Sequence, residues 1–178
     1  MQGVVSQTLK KLKNYYLVGP MGAGKTAVGR YLAKILNYKF YDTDEEIELR
    51  TGVDVSLIFE KEGETGFRLR EKKIISELTE KSNIVLATGG GAILSEENRK
   101  KLVTKGLVIY LNATVDKQVY RTSKGRERPL LIDNNPREIL EKLMKTRSPL
   151  YHDVADIVIM TDDRKISSVA KEIFGKIN

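Results

Sequence analysis

Residues 19–26 carry the clearest chemistry in the sequence. They read Gly-Pro-Met-Gly-Ala-Gly-Lys-Thr and match the pattern G-x-x-x-x-G-K-[ST] at each fixed position. Glycines in this pattern let backbone N–H groups approach phosphate oxygens, the lysine reaches the outer phosphates, and the final hydroxyl can hold Mg²⁺. An apolar run at 15–18 and helical spacing at 27–36 provide the strand, turn and helix that the pattern requires, which a chance glycine-rich turn would lack. The sequence therefore predicts a phosphate cradle with contacts from Gly22, Ala23, Gly24, Lys25, Thr26 and Ala27.

Two acids, Asp42 and Asp44, follow the second predicted strand. Many enzymes with this cradle steady Mg²⁺ with an acid at the end of a core strand, but the third predicted strand ends without one. Asp42 is therefore the nearest candidate to join Thr26 at the metal, and Asp44 could accept the proton of an acceptor hydroxyl during phosphoryl transfer. The alternative is that either acid only caps the helix that begins near Glu45, and both roles can coexist.

Two further features could bind an anionic substrate. Gly89, Gly90 and Gly91 follow the third predicted strand, where bare backbone can approach a ligand and donate N–H groups. Arg68 and Arg147 carry guanidinium groups, which bind carboxylates through two parallel hydrogen bonds. The alternatives are an ordinary chain connection for the glycines and solvated surface positions for the arginines.

Basic side chains are concentrated in residues 116–147, which hold nine Lys or Arg and five acids. Within this region, 122–135 contains glycine and proline but no periodicity, which predicts a mobile loop. An arginine on a closing loop could neutralise charge in a transition state and exclude water. The candidates are Arg121, Lys124, Arg126 and Arg128. The alternatives are a solvated basic loop or a patch that binds nucleic acid.

Composition limits the class of protein. The chain has 178 residues, a net charge of +7 and no cysteine, so it can form neither disulfides nor thiolate metal sites. Its length fits one domain with a substantial apolar core. No apolar stretch approaches the length of a membrane span and the N-terminus lacks the apolar core of a signal peptide, so we expect a soluble, cytoplasmic protein. Residues 1–14 are polar with three lysines, and we expect an extension unrelated to the chemistry.

Strands and helices alternate along the chain. Apolar runs predict strands at 15–18, 38–41, 84–87, 107–111 and 155–160. Helical spacing predicts helices between them, with Gly63 preceding a longer amphipathic segment and Pro136 starting a helix that ends at Arg147 before Pro149. The alternation indicates an α/β fold with a parallel sheet covered on both faces. Ligands bind such sheets at the carboxyl ends of the strands, which would bring the cradle, the acidic turn and the three glycines together.

These features resemble the shikimate kinases over residues 15–169. Besides the cradle, the resemblance rests on Asp42-Thr43-Asp44 with Arg50-Thr51-Gly52, Gly63-Glu64 with Phe67-Arg68 and Glu71, Gly89-Gly90-Gly91, Arg128-Pro129-Leu130-Leu131, and Arg147-Ser148-Pro149-Leu150-Tyr151. The sequence departs from the family in two places. Residues 1–14 extend beyond the usual start, and the run 162–166 lacks the proline often found there, which affects the assignment of adenine contacts.

The resemblance implies a three-layer P-loop kinase fold of the nucleoside-monophosphate-kinase type over residues 15–178, with a five-stranded parallel sheet in the order 2-3-1-4-5. It implies transfer of the ATP γ-phosphate to the 3-hydroxyl of shikimate, with Mg²⁺, in the route to chorismate and the aromatic amino acids. The substrate-binding segment would span about 42–72 and a mobile lid about 122–135. The implied partners are ATP and shikimate, without nucleic acid or membrane, and we expect a monomer.

The resemblance also implies roles for single residues. Four residues are similar by position to those that contact shikimate in the family: Asp44, Arg68, Gly90 and Arg147. In the family, the two arginines bind the carboxylate of shikimate and the acid binds its ring hydroxyls. Asp42 is similar to the acid that orders the Mg²⁺ shell, and Arg128 is similar to the lid arginine over the phosphates. Arg121 and Arg164 are similar to the residues beside adenine.

Two other functions fit parts of the sequence. A related small-molecule kinase, such as one acting on gluconate, would share the cradle, although the paired arginines and the Asp-x-Asp turn favour a cyclic, carboxylated polyol. A nucleotide-binding protein without kinase activity could use its basic stretch on nucleic acid. Loss of Asp44 or Arg128 would favour that function, and both residues are present. The sequence therefore favours a kinase that acts on shikimate.

Overall fold

The structure is a computed structural model that describes residues 14–125, 128–132 and 135–178. The strands in this part of the chain are β1 (Tyr15–Val18), β2 (Lys39–Asp42), β3 (Ile84–Ala87), β4 (Leu107–Asn112) and β5 (Ile157–Met160). The α-helices there are α1 (Lys25–Leu36), α2 (Thr43–Thr51), α3 (Val55–Leu78), α4 (Glu96–Lys105), α5 (Val115–Ser123), α6 (Pro136–Val154) and α7 (Ile166–Ile177). Short 3₁₀ turns lie at Ala92–Leu94 and Pro129–Leu131.

The strands form one parallel sheet in the order β2-β3-β1-β4-β5. This order confirms the topology that the family resemblance implies. The register pairs Ala87, at the end of β3, with Leu17 of β1 and with Asp42 of β2. The segments that leave β1, β2 and β3 therefore start side by side at one edge of the sheet.

Alternating side chains of the strands build a core on each face of the sheet. In β1, Tyr16 and Val18 belong to one cluster, which also contains Phe67 of α3 and Tyr151 of α6. Tyr15 and Leu17 point to the opposite cluster, which α1 and α7 cover. Burial of apolar surface on both faces explains why these strands are continuous apolar runs.

Helix α3 consists of two segments, as the sequence predicts. Gly63 has φ 69° and ψ −177°, which are not helical angles, and it separates residues 55–62 from 64–78. A positive φ is accessible to glycine at little cost because glycine has no β-carbon. The break produces a kink between the two segments of α3.

The predicted end of α6 is wrong. The helix continues through Pro149 to Val154 instead of ending at Arg147. A proline inside a helix removes one backbone hydrogen bond and disfavours the helix. Here the residues beyond it are buried in the core, with Tyr151 0% and Val154 6% exposed. Burial of these side chains opposes the local cost of the proline, and the added residues, about two turns, bring the Tyr151 hydroxyl to the carbonyl of Gly90 after β3.

Some predictions concern residues outside the described ranges. Most of the predicted extension 1–14, and Arg126 of the predicted lid, lie there, so their roles stay predictions. Among the described residues, no helix combines the length and the apolar character needed to cross a bilayer.

Two glycines on the helices that cover the sheet test this packing. A β-carbon at Gly29 of α1 would lie 2.6 Å from Phe40 Cε2 and 3.0 Å from Leu17 Cδ1, whereas one at Gly175 of α7 would have no neighbour within 4 Å. We expect Gly29→Ala to lower the free energy of unfolding by roughly 1 kcal/mol, because crowding outweighs the gain in helix propensity. Gly175→Ala should raise it by roughly 0.5–1 kcal/mol. Thermal unfolding of both variants measures the difference, and a stabilised Gly29→Ala protein would contradict the packing of α1.

Candidate active site

The phosphate cradle lies between β1 and α1. Gly22 and Gly24 have positive φ angles of 79° and 92°. Gly24 is the N-cap of α1 and provides no side-chain cap, so the first N–H groups of the helix are left to a ligand. A β-carbon at Gly22 would lie 3.2 Å from the Cα of Gln118 in α5. The cradle therefore packs tightly against α5, and the uncapped N–H groups at the start of α1 are available to an anion.

Lys25 is buried inside the cradle. Its ammonium group donates hydrogen bonds to the carbonyl oxygens of Gly19 at 2.8 Å and Pro20 at 2.7 Å. Burial, followed by the charge of Arg128, lowers the pKa of the Lys25 ammonium to about 8, although the charge of Asp42 opposes the shift. A phosphate group beside Lys25 would favour the charged form.

Asp42 both caps a helix and contacts the cradle. Its Oδ1 accepts hydrogen bonds from the N–H groups of Asp44 at 2.9 Å and Glu45 at 3.3 Å, at the start of α2. Its Oδ2 accepts a hydrogen bond from Thr26 Oγ1 at 2.7 Å. The cap therefore uses one carboxylate oxygen and leaves the other directed at Thr26, and the role of Asp42 at Mg²⁺ stays a prediction. The helix begins at Thr43, slightly before the position near Glu45 that the sequence predicts.

Asp44 and Glu71 place two buried carboxylate oxygens next to Gly89, although only Asp44 is among the residues that line the cavities described below. Asp44 Oδ1 and Glu71 Oε1 are buried and have no hydrogen-bond partner in the described part of the chain. A β-carbon at Gly89 would lie 3.3 Å from the first and 2.5 Å from the second. Burial raises the pKa of Glu71 to about 7. Burial, followed by the charge of Asp42, also raises the pKa of Asp44.

Glu71 is among the residues that carry the family resemblance, but its sequence context predicts no role for it. The residue is 0% exposed, and its Oε2 accepts a hydrogen bond from Arg68 Nη1 at 2.7 Å. Arg68 also pairs with Glu64 at 3.0 Å. The available signal was the spacing, since a Glu three residues after an Arg on a helix lies on the same face and can hold it in place.

The predicted anion contacts surround the three glycines. Gly89 N–H donates to Thr43 Oγ1 at 2.9 Å, which joins the loop to the acidic turn. Arg68 lies directly against Gly91, and Arg147, only 5% exposed, lies next to Gly90. Two guanidinium groups and a flexible backbone therefore line one side of the cavity.

Two adjoining cavities contain most of the predicted site. The first is lined by Arg68, Arg147, Gly91, Phe59, Phe67 and Leu130, and the second by Gly22, Gly24, Lys25, Thr26, Ala27, Asp42 and Arg121. Both cavities share Met21, Asp44, Gly89, Gly90 and Arg128. Arg128 Nη1 lies 3.9 Å from Asp44 Oδ2 at this junction. The arrangement can place a phosphate beside a second, anionic ligand.

Of three residues predicted to contact the nucleotide, only Arg121 lines the cavity at the cradle, whereas Ala23 and Arg164 do not. Arg121 lines the cradle cavity, and it donates hydrogen bonds to the carbonyls of Gly22 at 2.9 Å and Thr161 at 2.8 Å. Ala23 is buried in the core instead, and its N–H donates to Pro20 within the loop. Arg164 forms an ion pair with Glu172 at 2.7 Å and is not among the residues that line either cavity.

Comparison with known proteins identifies the family. The family model for shikimate kinase matches residues 21–178. The chain is 54% identical over 166 residues to shikimate kinase 1 of Yersinia enterocolitica. The alignment covers 93% of this chain and 96% of that enzyme. The chain belongs to the shikimate kinase family. A shikimate kinase of Shewanella woodyi is 51% identical over 165 residues, with the same coverage of both chains.

A solved structure of the shikimate kinase family agrees with the fold. The enzyme from Acinetobacter baumannii, in complex with shikimate, has a TM-score of 0.91 to this structure and 48% sequence identity, and covers 97% of this chain and 96% of that one. A shikimate kinase uses ATP to phosphorylate an alcohol group of shikimate. Family membership therefore favours the kinase prediction over both alternatives, a gluconate kinase and a nucleotide-binding protein without activity.

The raised pKa of Glu71 makes stability depend on pH. Folded Glu71 keeps its proton up to about pH 7, whereas an unfolded Glu loses it near its ordinary value, so this group stabilises the fold at low pH and loses that effect as pH rises towards 7. Glu71→Gln cannot ionise. We compare the free energy of unfolding of Glu71→Gln with that of the unmodified protein. As the pH increases from about 5 to 8, we expect this difference to change in favour of the variant by on the order of 2 kcal/mol.

Thermal melts across that pH range measure the effect. Glu64→Gln is the matched control, because it removes the more exposed partner of the same arginine and should change stability little. A difference between Glu71→Gln and the unmodified protein that stays constant with pH would contradict the assignment.

Proposed function

We propose that this chain transfers the γ-phosphoryl group of ATP to the 3-hydroxyl of shikimate. The position of Asp44 carries the proposal. Asp44 lines both cavities, and its buried Oδ1 has no partner among the described residues. A substrate hydroxyl in the arginine-lined cavity would donate to this oxygen while lying next to a phosphate in the cradle.

Asp44 acts as the proton acceptor in this proposal. The hydroxyl oxygen of shikimate forms a bond to the γ-phosphorus, and the bond from that phosphorus to the bridging oxygen breaks, so that ADP leaves with the electron pair. The hydroxyl proton passes to the Asp44 carboxylate. Burial raises the pKa of Asp44, which makes the carboxylate a better proton acceptor than a solvated one.

The first cavity suits a ring that carries a carboxylate. Arg68 and Arg147 would bind the carboxylate in bidentate fashion, and the N–H groups of Gly90 and Gly91 would donate to it. Phe59 and Phe67, with ring centroids 4.7 Å apart, line the same cavity and give it an apolar wall. A polyhydroxylated ring with one anionic substituent fits this division of polar and apolar surface.

The second cavity would hold the nucleotide. Backbone N–H groups of Gly22 and of residues 24–27 would bind the phosphates, with Lys25 and Arg128 next to the transferred group. The predicted contact from Ala23 would require its N–H to leave the Pro20 carbonyl. Arg121 is the better placed of the two proposed adenine neighbours, because Arg164 would have to leave its pair with Glu172.

The residues beside the cradle fit Mg²⁺. Thr26 and Asp42 offer a hydroxyl and a carboxylate oxygen at the cradle cavity, and oxygen is the ligand that this ion prefers. No group of three or more His, Cys, Asp or Glu side chains suited to a metal occurs among the described residues, so phosphate and water oxygens would complete the shell. When bound, the ion would neutralise charge on the phosphates.

The remaining predictions are part of the same proposal. We propose a cytoplasmic monomer whose partners are ATP and shikimate, without nucleic acid or membrane, since the described residues of one chain line both cavities. Residues 42–72 would form the substrate-binding segment and 122–135 the lid of a single domain, 15–178. Residues 1–14 would take no part in the chemistry.

Replacing Asp44 tests the proton acceptor. We expect Asp44→Asn to lower kcat at least about a hundredfold, since the amide cannot take the proton, while ATP still binds. A coupled ADP-release assay gives kcat, and nucleotide titration gives the affinity. Glu45→Gln is the matched control, because Glu45 is the next residue of α2 but pairs with Arg30 outside both cavities. Near-normal turnover of Asp44→Asn would refute the role.

The same assay tests the substrate. Shikimate, quinate and gluconate are compared as acceptors with MgATP, and shikimate should give a rate far above the other two. Equal rates for all three, or no rate with shikimate, would overturn the proposed substrate.

Arg147 tests the carboxylate contact. We expect Arg147→Lys to raise the KM for shikimate by roughly tenfold and Arg147→Ala by more, because a charged hydrogen bond contributes about 1.5–3 kcal/mol. The KM for ATP should stay the same. Arg137→Lys is the control on the same helix, since Arg137 is half exposed and pairs with Asp116. An unchanged KM for shikimate in Arg147→Lys would remove Arg147 from the substrate site.

A further inference from the structure

Tyr151 touches the glycine loop from inside the core. The residue is fully buried, and its hydroxyl donates a hydrogen bond to the carbonyl oxygen of Gly90 at 2.5 Å. It lies four residues after Arg147 on α6, so both side chains leave the same face of the helix. One helix face therefore carries a cavity-lining arginine and a tyrosine that holds the backbone next to it.

The hydrogen bond fixes one particular peptide unit. The carbonyl of Gly90 and the N–H of Gly91 belong to the same planar, trans peptide, so they point in opposite directions. A carbonyl held towards the core turns the Gly91 N–H away from the core. In the described part of the chain, neither Gly90 N–H nor Gly91 N–H has a protein acceptor, and both residues line the arginine-rich cavity.

The rest of the loop is held by other groups. Gly89 N–H donates to Thr43 Oγ1, and the carbonyls of Gly89 and Gly91 accept from Ala92 and Leu94 at 3.0 and 3.1 Å. Consecutive glycines place little restriction on the peptide between them. Among the described contacts, the Tyr151 hydroxyl is the one that holds the Gly90 carbonyl.

We propose that Tyr151 is a positioning residue, which orients the Gly90–Gly91 peptide so that its N–H can bind the carboxylate of the acceptor substrate. This inference rests on the proposed function. Burial raises the pKa of the Tyr151 hydroxyl well above its ordinary value, so the group stays a hydrogen-bond donor and takes no part in proton transfer. The hydroxyl also interacts with the Arg147 side chain, so its effect reaches the substrate through the loop and through this arginine.

Tyr110 provides a matched control. Its ring packs on that of Tyr151 with centroids 5.0 Å apart, and it is equally buried. Its hydroxyl donates to Asn112 Oδ1 at 2.9 Å rather than to the glycine loop. Tyr110→Phe and Tyr151→Phe therefore each remove one hydroxyl from the same aromatic stack, and only the second change releases the loop.

The experiment compares these two variants with the unmodified enzyme. Melting temperatures and circular dichroism establish that both fold, and kinetics are measured well below their unfolding transitions. We expect both variants to melt at a lower temperature. Tyr151→Phe should also raise the KM for shikimate about tenfold or more while the KM for ATP stays the same, and Tyr110→Phe should leave both constants unchanged.

Each outcome decides a separate question. A Tyr151→Phe enzyme that is destabilised but has the unmodified KM for shikimate would show that the hydroxyl serves the core alone and would overturn the inference. An equal rise of the KM in both variants would overturn it as well, because a general loosening of the stack would explain the effect. Failure of the unmodified protein to phosphorylate shikimate would reject the proposed function itself.

Discussion

The parallel register of β1, β2 and β3 is the constraint on which the site depends. Ala87 lies opposite both Leu17 and Asp42, so three segments that are distant in sequence leave the sheet at the same level, from β3 and from its neighbour on either side. Side chains then join these segments directly. The Thr26 hydroxyl donates a hydrogen bond to Asp42, and the Gly89 N–H donates one to the Thr43 hydroxyl. A shift in the register of any of these strands would separate the cradle from the acid.

The site contains more buried charge than the fold alone requires. Lys25, Glu71 and Arg147 are buried, and burial shifts the pKa of Lys25 down and of Glu71 up. Charged groups in such a setting interact strongly with each other and with a ligand, because little water screens them. Asp44 Oδ1, which has no partner among the described residues, lies in the lining of both cavities, so a ligand that donates a hydrogen bond could satisfy it. Buried charges and an unpartnered buried carboxylate oxygen are unfavourable in the free protein, so this site lowers the stability of the fold.

Much of this arrangement could be predicted from the sequence. The cradle motif and the alternation of strands and helices depend on local patterns, and the structure confirms the sheet order and the break at Gly63. The end of α6 could not be predicted locally, because Pro149 signals a stop and only tertiary burial of Tyr151 explains why the helix continues. The partners of Arg164 were equally inaccessible, since its pairing with Glu172 depends on how α7 begins. Contacts that form across elements have no signal in residue spacing.

A crystal structure with shikimate, Mg²⁺ and a non-hydrolysable ATP analogue tests the central claim most directly. We expect the 3-hydroxyl of shikimate within about 2.6–3.2 Å of the Asp44 carboxylate and about 3–3.5 Å from the γ-phosphorus, on the side opposite the bridging oxygen. Shikimate bound away from Asp44, or a γ-phosphorus on the far side of the three glycines, would contradict it.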